Sequence, residues 1–479
     1  CSSYLREMGL KQRALLAIGL TVGFYALALA LMAGMIWIIF QPNVPGRALA
    51  FCLFGVAAIA ISIIPWPRRF VPPGPLLNPA GQPRLFAELQ TVARAVGEEM
   101  PAEVYVSPEM NAGVLQRGRR RVMVLGLPLM QALSVNEMRA VLAHEFGHYH
   151  GGDTSLGPWI YRTREAIERV IQNASRQSAV LQLPFLWYGR MFLRVTQKVS
   201  RQQELTADAL AARTFGAGAM IGGLRSLARG SVAWAGYWRN EVVPLLEAGF
   251  QPPIAEGFQR FMSEPDIGSE IDKLAQQQLA EARTDPYDSH PPDSERIAAL
   301  GAMPAGPGDA SGPRAATLVS GIEAIEPFLL IGMLQPGVQM RRITWQDAGS
   351  LALMPGLRDR ARRQAHMLRD YSVGWLPELV KYAERLGYSE AGAAGRQLQP
   401  EQARSVGIGL AGAAFAVALA DHGWAAESMP GRPVVMRRGD ATVEPFIEVN
   451  RMARGEVEAA AWQERCTELG TRDFSLIPA

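Results

Sequence analysis

Residues 14–40 read ALLAIGLTVGFYALALALMAGMIWIIF, without one charged side chain. Coiled as a helix rising about 1.5 Å per residue, the run is longer than the roughly 30 Å hydrocarbon core of a bilayer. A second uncharged run, at about 48–66, comes after the short link QPNVPGR. A water-soluble fold would have to bury two such helices on every side. The pair is therefore read as a transmembrane helical hairpin within a first segment, 1–70, with spans at about 14–40 and 48–66. The first run is too long for the apolar region of a signal peptide. Arg6, Lys11 and Arg13 precede it, Arg68 and Arg69 come after the second run, and only Arg47 lies between. The bias of Lys and Arg toward the cytoplasmic side puts both ends of the hairpin in the cytoplasm. The expected location is the cell inner (plasma) membrane, multi-pass, with the rest of the chain held against the cytoplasmic leaflet.

Composition narrows the reading further. The 479 residues allow two or three domains. A formal net charge of +3 carries no basic excess that would point to nucleic acid. Cys1, Cys52 and Cys466 are too far apart to suggest a disulfide framework or a thiolate metal site.

The chemistry-bearing stretch is VLAHEFGHYHGGD, 141–153. His144 and His148 stand four apart, on one face of a helix, where two imidazoles can share one metal ion. Glu145, next to the first histidine, is placed to act as general base toward an attacking water. Ser134 and Glu137 form an S-x-x-E capping box, so a helix should start near Ser134. Val135, Met138, Val141 and Leu142 make its inward side. Three of the chain's six histidines, His144, His148 and His150, fall in this stretch, between apolar flanks that do not suit a solvated patch.

A catalytic metal site of this type takes three protein ligands and keeps one position open. SRQQELTADALAA, 200–212, can supply the third. Its helical period sets Glu204 and Asp208 one turn apart on one face. Glu204 is the ligand candidate, and Asp208 could accept the outer N–H of a metal-binding histidine. The alternative is that both acids are the wet side of an amphipathic helix.

The pair HEFGH at 144–148 and SRQQELTAD at 200–208 resembles the M48 family of zinc metallopeptidases. The resemblance extends through NAGV at 111–114, LGLPL at 125–129 and HPPDSERI at 290–297, covering about residues 70–300. It implies an α+β, zincin-like (gluzincin) metallopeptidase domain over 71–300, mostly helical with a small sheet. It also implies one Zn2+ per chain on His144, His148 and Glu204, with Asp208 supporting the first histidine. Asn111 and Ala112 resemble edge-strand residues that line a peptide substrate, though Asn111–Gly113 could also be only a turn. His290 is expected at the scissile carbonyl as a catalytic hydrogen-bond donor. Arg296 is expected either at the substrate or holding the His290 segment through a carboxylate or helix end. Both could also be plain loop-fixing groups.

Around the motifs the chain reads as a helix over 84–98, a strand over 102–107, then a short strand, a basic turn at 117–121 and another strand. Residues 154–199 form an insert between the two motifs. It reads as a helical hairpin, lying on the bilayer through Leu183, Phe185, Leu186, Trp187 and Tyr188 or packed against the metal-binding helix. Past the flexible stretch 301–313, residues 301–479 are read as a soluble helical domain. It includes an apolar stretch at 406–424, read as a buried helix with a membrane span as the alternative, a β-hairpin at 433–446 and a terminal helix over 452–470.

The expected function is that of a membrane-anchored zinc endopeptidase acting on membrane or misfolded proteins. Its partners are protein or peptide substrates and the lipid bilayer, with self-association as a further partner. A CAAX-type processing protease and a non-catalytic zinc-binding chaperone or scaffold are the alternatives. The orientation is directly testable. A reporter enzyme active only outside the cytoplasm, fused after Arg69, should be silent, and an active fusion overturns the topology.

Overall fold

The computed structural model describes residues 10–64, 70–117, 120–150, 163–173, 179–282, 291–304, 308–331, 340–393, 395 and 397–477. The chain is mostly helical with small sheets. It divides into two compact units, Cys1–Gly230 with Leu274–Ser320, and Ser231–Lys273 with Gly321–Ala479.

In the first unit, helices α1 (Leu10–Ile39) and α2 (Gly46–Ile63) form the apolar hairpin. Both are long and apolar enough to cross a membrane, and only 17% and 28% of their apolar windows are covered by protein. The partner they do have is the insert. Helical residues 163–173 and the start of α5 (Ala179–Phe215) pack against them around Phe24, Ala28, Ile59, Ile167, Phe185 and Phe192. The Tyr188 hydroxyl donates to the Leu20 carbonyl at 2.6 Å. Arg169 Nε donates to the Ser62 carbonyl, and Asn173 Nδ2 to the Ser62 hydroxyl. Phe185 and Tyr188, expected to face the bilayer, instead face the hairpin, because their spacing puts them on the side of α5 that meets α1. Leu183 and Trp187 remain exposed.

Next in the chain is a four-stranded sheet of β1 (Leu76–Leu77), β2 (Glu103–Ser107), β3 (Ala112–Arg117) and β4 (Arg120–Gly126), in the order β1-β2-β4-β3. Apolar Val104, Val106, Val122 and Leu125 bury its middle strands. Strands β2 and β4 are parallel, and β3 turns back antiparallel on β4. Among the described residues β3 has β4 as its sole strand neighbour and so presents an open edge. Gly126 N donates to the Asn111 carbonyl at 2.8 Å. In an antiparallel ladder the bonded pairs alternate. Counting by twos from Asn111, the N–H and C=O of Ala112 and Val114 therefore point away from β4.

Helix α3 (Pro83–Val96) buries Leu85, Leu89 and Val92 and ends on left-handed Gly97. Helix α4 (Val135–His150) starts with the expected capping box. Glu137 N donates to Ser134 Oγ at 3.1 Å, and Ser134 N donates to Glu137 Oε2 at 2.7 Å. Such a box satisfies two N–H groups that a helix start otherwise leaves bare. The other Glu137 oxygen accepts from Ser226 Oγ on α6 (Ala217–Tyr237), which ties that end of α4 in place.

The second unit is organised on α9 (Pro400–Asp421), whose residues Leu410–Leu419 are all buried. By composition α9 could also cross a membrane, but 67% of its apolar window is already covered by protein. The hairpin expected at 433–446 is present as β6 (Val435–Arg438) and β7 (Ala441–Val443), with β5 (Ala425–Glu427) beside β6. The Arg438-Gly439-Asp440 triplet supplies its turn. The terminal helix expected over 452–470 is instead two, Pro445–Ala453 and Ala459–Leu469, separated at left-handed Gly455. Trp234, Tyr237, Phe258 and Trp345 form an aromatic cluster under Ile254–Ser263.

Helix α8 (Ala383–Ala393) lies on α9 through two reciprocal glycines. A Cβ on Gly387 would overlap the Ala403 carbonyl, and one on Gly407 would overlap the Ala383 carbonyl. Both obstacles are helix backbone, which cannot step aside as a side chain can. The substitution Gly407→Ala should cost on the order of 3 kcal/mol through overpacking, lowering the thermal midpoint by roughly 6–12 °C. Calorimetry of the purified protein in detergent measures it, and an unchanged midpoint refutes the close contact.

Candidate metal centre

The site lies where α4 crosses α5. Gly147 makes the crossing close: a Cβ there would sit 3.1 Å from both Cα and Cβ of Ala207. Neither position stands out in the sequence as functional. The only signal is local composition, a glycine inside HEFGH and small residues along TADALAA.

The close crossing brings His144, His148 and Glu204 together, with one donor atom from each lying within 4.8 Å of the others. His144 Nε2 is 3.4 Å from Glu204 Oε2, and His148 Nε2 is 3.7 Å from Glu204 Oε1. Ligand atoms about 2.0–2.1 Å from a tetrahedral ion stand roughly 3.4 Å from each other. Those two separations, each to a different Glu204 oxygen, lie close to that value, and two imidazoles with a carboxylate are a donor set such ions use. The two rings are 4.9 Å apart and nearly perpendicular, at 88°, as expected for residues one helical turn apart that converge on one point.

Behind the first histidine lies a buried charge network. His144 Nδ1 is 2.8 Å from Asp208 Oδ1. This bond places the ring hydrogen at Nδ1 and leaves Nε2 as the donor atom facing Glu204. Asp208 is held from its other side by Arg296 on α7 (Asp293–Gly301), with Nε to Oδ2 at 2.8 Å and Nη2 to Oδ1 at 2.7 Å. Arg296 also meets Asp293 at 3.4 Å and lies 3.9 Å from Glu204. Arg296 thus joins α7 to the Asp208 carboxylate of α5. Its side chain is buried in this network.

The network sets the protonation of the site. Burial pushes the His144 imidazole down, but its bonds to Asp208 and Glu204 outweigh that and hold it up at about 9. Burial likewise opposes ionisation of Asp208, yet Arg296 and His144 keep its carboxyl below the ordinary range. The Glu145 carboxyl moves the other way, raised by burial against the pull of His144 and His148. Glu145 nevertheless keeps part of its surface open to solvent.

Asn111 is exposed and Ala112 buried at the start of the open-edged strand β3, which packs against α4. His290 lies outside the described residues, as does the side chain of His150. Glu103 draws in Arg117 and Arg120 from the basic run, and both arginines stay exposed.

Breaking the Asp208–Arg296 pair should be costly, because it strands a buried guanidinium. Asp208→Asn is expected to remove about 3–5 kcal/mol of stability, read by denaturant unfolding of the metal-free protein. A loss below about 1 kcal/mol would mean that the pair does not hold α7 to α5.

Comparison with known proteins agrees with this arrangement. The family model described as Peptidase family M48 matches residues 79–303. The relative from Idiomarina loihiensis, named Protease HtpX, is 29% identical over 253 residues, covering 48% of this chain and 86% of its own length. A Pseudomonas fluorescens protein of the same name is 29% identical over 258 residues, covering 48% and 85%. Another, from Pseudomonas entomophila, is 29% identical over 211 residues, covering 38% and 70%. No solved structure matches significantly. Residues 79–303 of this chain thus match the model of peptidase family M48, a family of metalloproteases.

Proposed function

We propose that this chain is a membrane-anchored zinc endopeptidase that cuts extended segments of membrane or misfolded proteins in the cytoplasm. The observation that carries the reading is the convergence of His144, His148 and Glu204 beside a carboxylate, Glu145, that retains solvent access. In this reading residues 71–300 are a zincin-like peptidase domain, the hairpin 1–70 anchors it in the inner membrane, and residues 301–479 form a soluble domain.

Zinc held by these three side chains would polarise the peptide carbonyl and lower the pKa of the attacking water. Glu145 takes the proton from that water at its carboxylate and hands it to the departing amine nitrogen. Burial raises the Glu145 pKa, which makes the carboxylate a stronger base and its acid form a competent donor for the second step. Asp208 keeps the His144 hydrogen at Nδ1, and Arg296 keeps Asp208 ionised. An extended substrate would pair as an added strand with the outward N–H and C=O groups of Ala112 and Val114. Asn111, exposed just before them, lies where it could hold the substrate backbone. His290 is assigned to the oxyanion in this mechanism, as a hydrogen-bond donor.

Glu145→Gln should retain one zinc per chain by metal analysis while slowing digestion of an unfolded protein such as casein by about 10²-fold or more. Glu204→Ala should lose both metal and activity, and chelation of the wild type should be reversed by added zinc. Normal turnover by Glu145→Gln, or full metal content in Glu204→Ala, would remove the mechanism.

A further inference from the structure

Helix α5 does two things at once. Its first half lines the apolar hairpin, and its second half carries Glu204 and Asp208, within one helix, Ala179–Phe215, whose single internal proline, Pro184, precedes Tyr188. Contacts along it give its depth. Leu181 lies beside Gly55, midway along α2: a Cβ on Gly55 would sit 3.5 Å from Leu181 Cδ2. Tyr188 bonds the Leu20 carbonyl, six residues inside the charge-free run that begins at Ala14. Arg169 and Asn173 bond Ser62, beside Ile63, where the window of α2 ends. Phe192 is the last buried residue of α5 in the apolar cluster with the hairpin, so the helix leaves the apolar zone near Phe192 and runs outward from there. Exposed Leu183 and Trp187 lie on the membrane side of that level, and exposed Arg190 and Arg194 flank it. This is the order in which a bilayer presents acyl chains and headgroups.

From Phe192 to Glu204 is twelve residues of helix, about 18 Å at 1.5 Å per residue. We propose that α5 is a strut that holds the catalytic centre about 18 Å from the membrane surface. The enzyme would then select, within anchored substrates, bonds lying beyond a minimum distance from the bilayer. This rests on the proteolytic reading above and adds a substrate rule to it. An extended chain covers at most about 3.3–3.6 Å per residue. A bond must therefore lie about five or more residues past the last membrane-embedded residue to reach the metal. Closer bonds are excluded by distance, whatever their sequence. The class selected is membrane proteins with an unfolded cytoplasmic tail, or with a span that has partly slipped out of the bilayer.

The test uses the full chain reconstituted in liposomes with single-span substrates. In each, the span is joined to one unstructured cleavable segment through Gly-Ser spacers of zero, four, eight or twelve residues. Cut positions and rates are read by mass spectrometry, and the same segment without its span is run in parallel. The expected result is a gap of about five residues next to the membrane in which cleavage is at least tenfold slower. The gap should keep its length as the spacer changes, while the detached segment is cut at the bonds the gap protects. Cleavage up to the membrane boundary at undiminished rate, with the detached segment also cut, overturns the strut and leaves the peptidase reading intact. No cleavage of either substrate overturns the peptidase reading, and the distance rule with it.

Discussion

The Asp208 carboxylate is the interaction on which the catalytic half of the first unit depends. It is buried, and a carboxylate so placed is costly unless matched by charge and hydrogen bonds. Arg296 supplies the charge through two bonds, and His144 Nδ1 supplies a third. One group thereby joins three helices far apart in sequence, α4, α5 and α7. The cost of burying it is offset only when all three are in place. The same arrangement that makes the network stable points His144 Nε2 toward Glu204. Fold and ligand orientation are thus not separate properties here, since loss of the ion pair would release the ring along with the helix.

A second constraint acts at the backbone. Ligands from two different helices can meet at one ion only if the helices approach closely, and side-chain size sets that limit. Gly147 opposite Ala207 removes the bulk at the crossing, one residue from His148 and one from Asp208. At the start of α4, the capping box and the Glu137–Ser226 bond fix the other end of the same helix. His144 is therefore carried by an element pinned at both ends, which suits a ligand that must hold its place to within a fraction of an ångström.

What can be read from the chain alone tracks the range of the interactions involved. His144 and His148, and likewise Glu204 and Asp208, are pairs four apart on one helix, so the local period declares them. The S-x-x-E box and the charge-free runs are equally local. Arg296 is recognisable as part of the segment after His290, but its partner stands 88 positions away, and no pattern within α7 announces it. Gly147 is silent in the sequence for the same reason, because its importance resides in what faces it. The insert is ambiguous because its apolar stretch is too short to span and too apolar to be solvated. The ambiguity ends only when the shape of the α1–α2 hairpin offers Phe185 and Tyr188 a surface. The single helix expected over 452–470 breaks at Gly455, where a left-handed turn outweighs a tolerable helical pattern.

These constraints converge on α5. Its apolar half gains stability from the hairpin, and its polar half has a buried carboxylate network to satisfy. Past Pro184 the helix transmits position along its axis, since each turn is hydrogen-bonded to the next. A shift of the first half against α1, where the Tyr188–Leu20 bond fixes the register, would carry Glu204 with it and open the distances to His144 and His148. The apolar bundle and the metal site must therefore form in mutual register, although neither shares a residue with the other. That requirement accounts for the mixed polarity of the insert between the two motifs. Its start is shaped to fit the hairpin, and its continuation must arrive at α4 with Glu204 and Asp208 on the correct face.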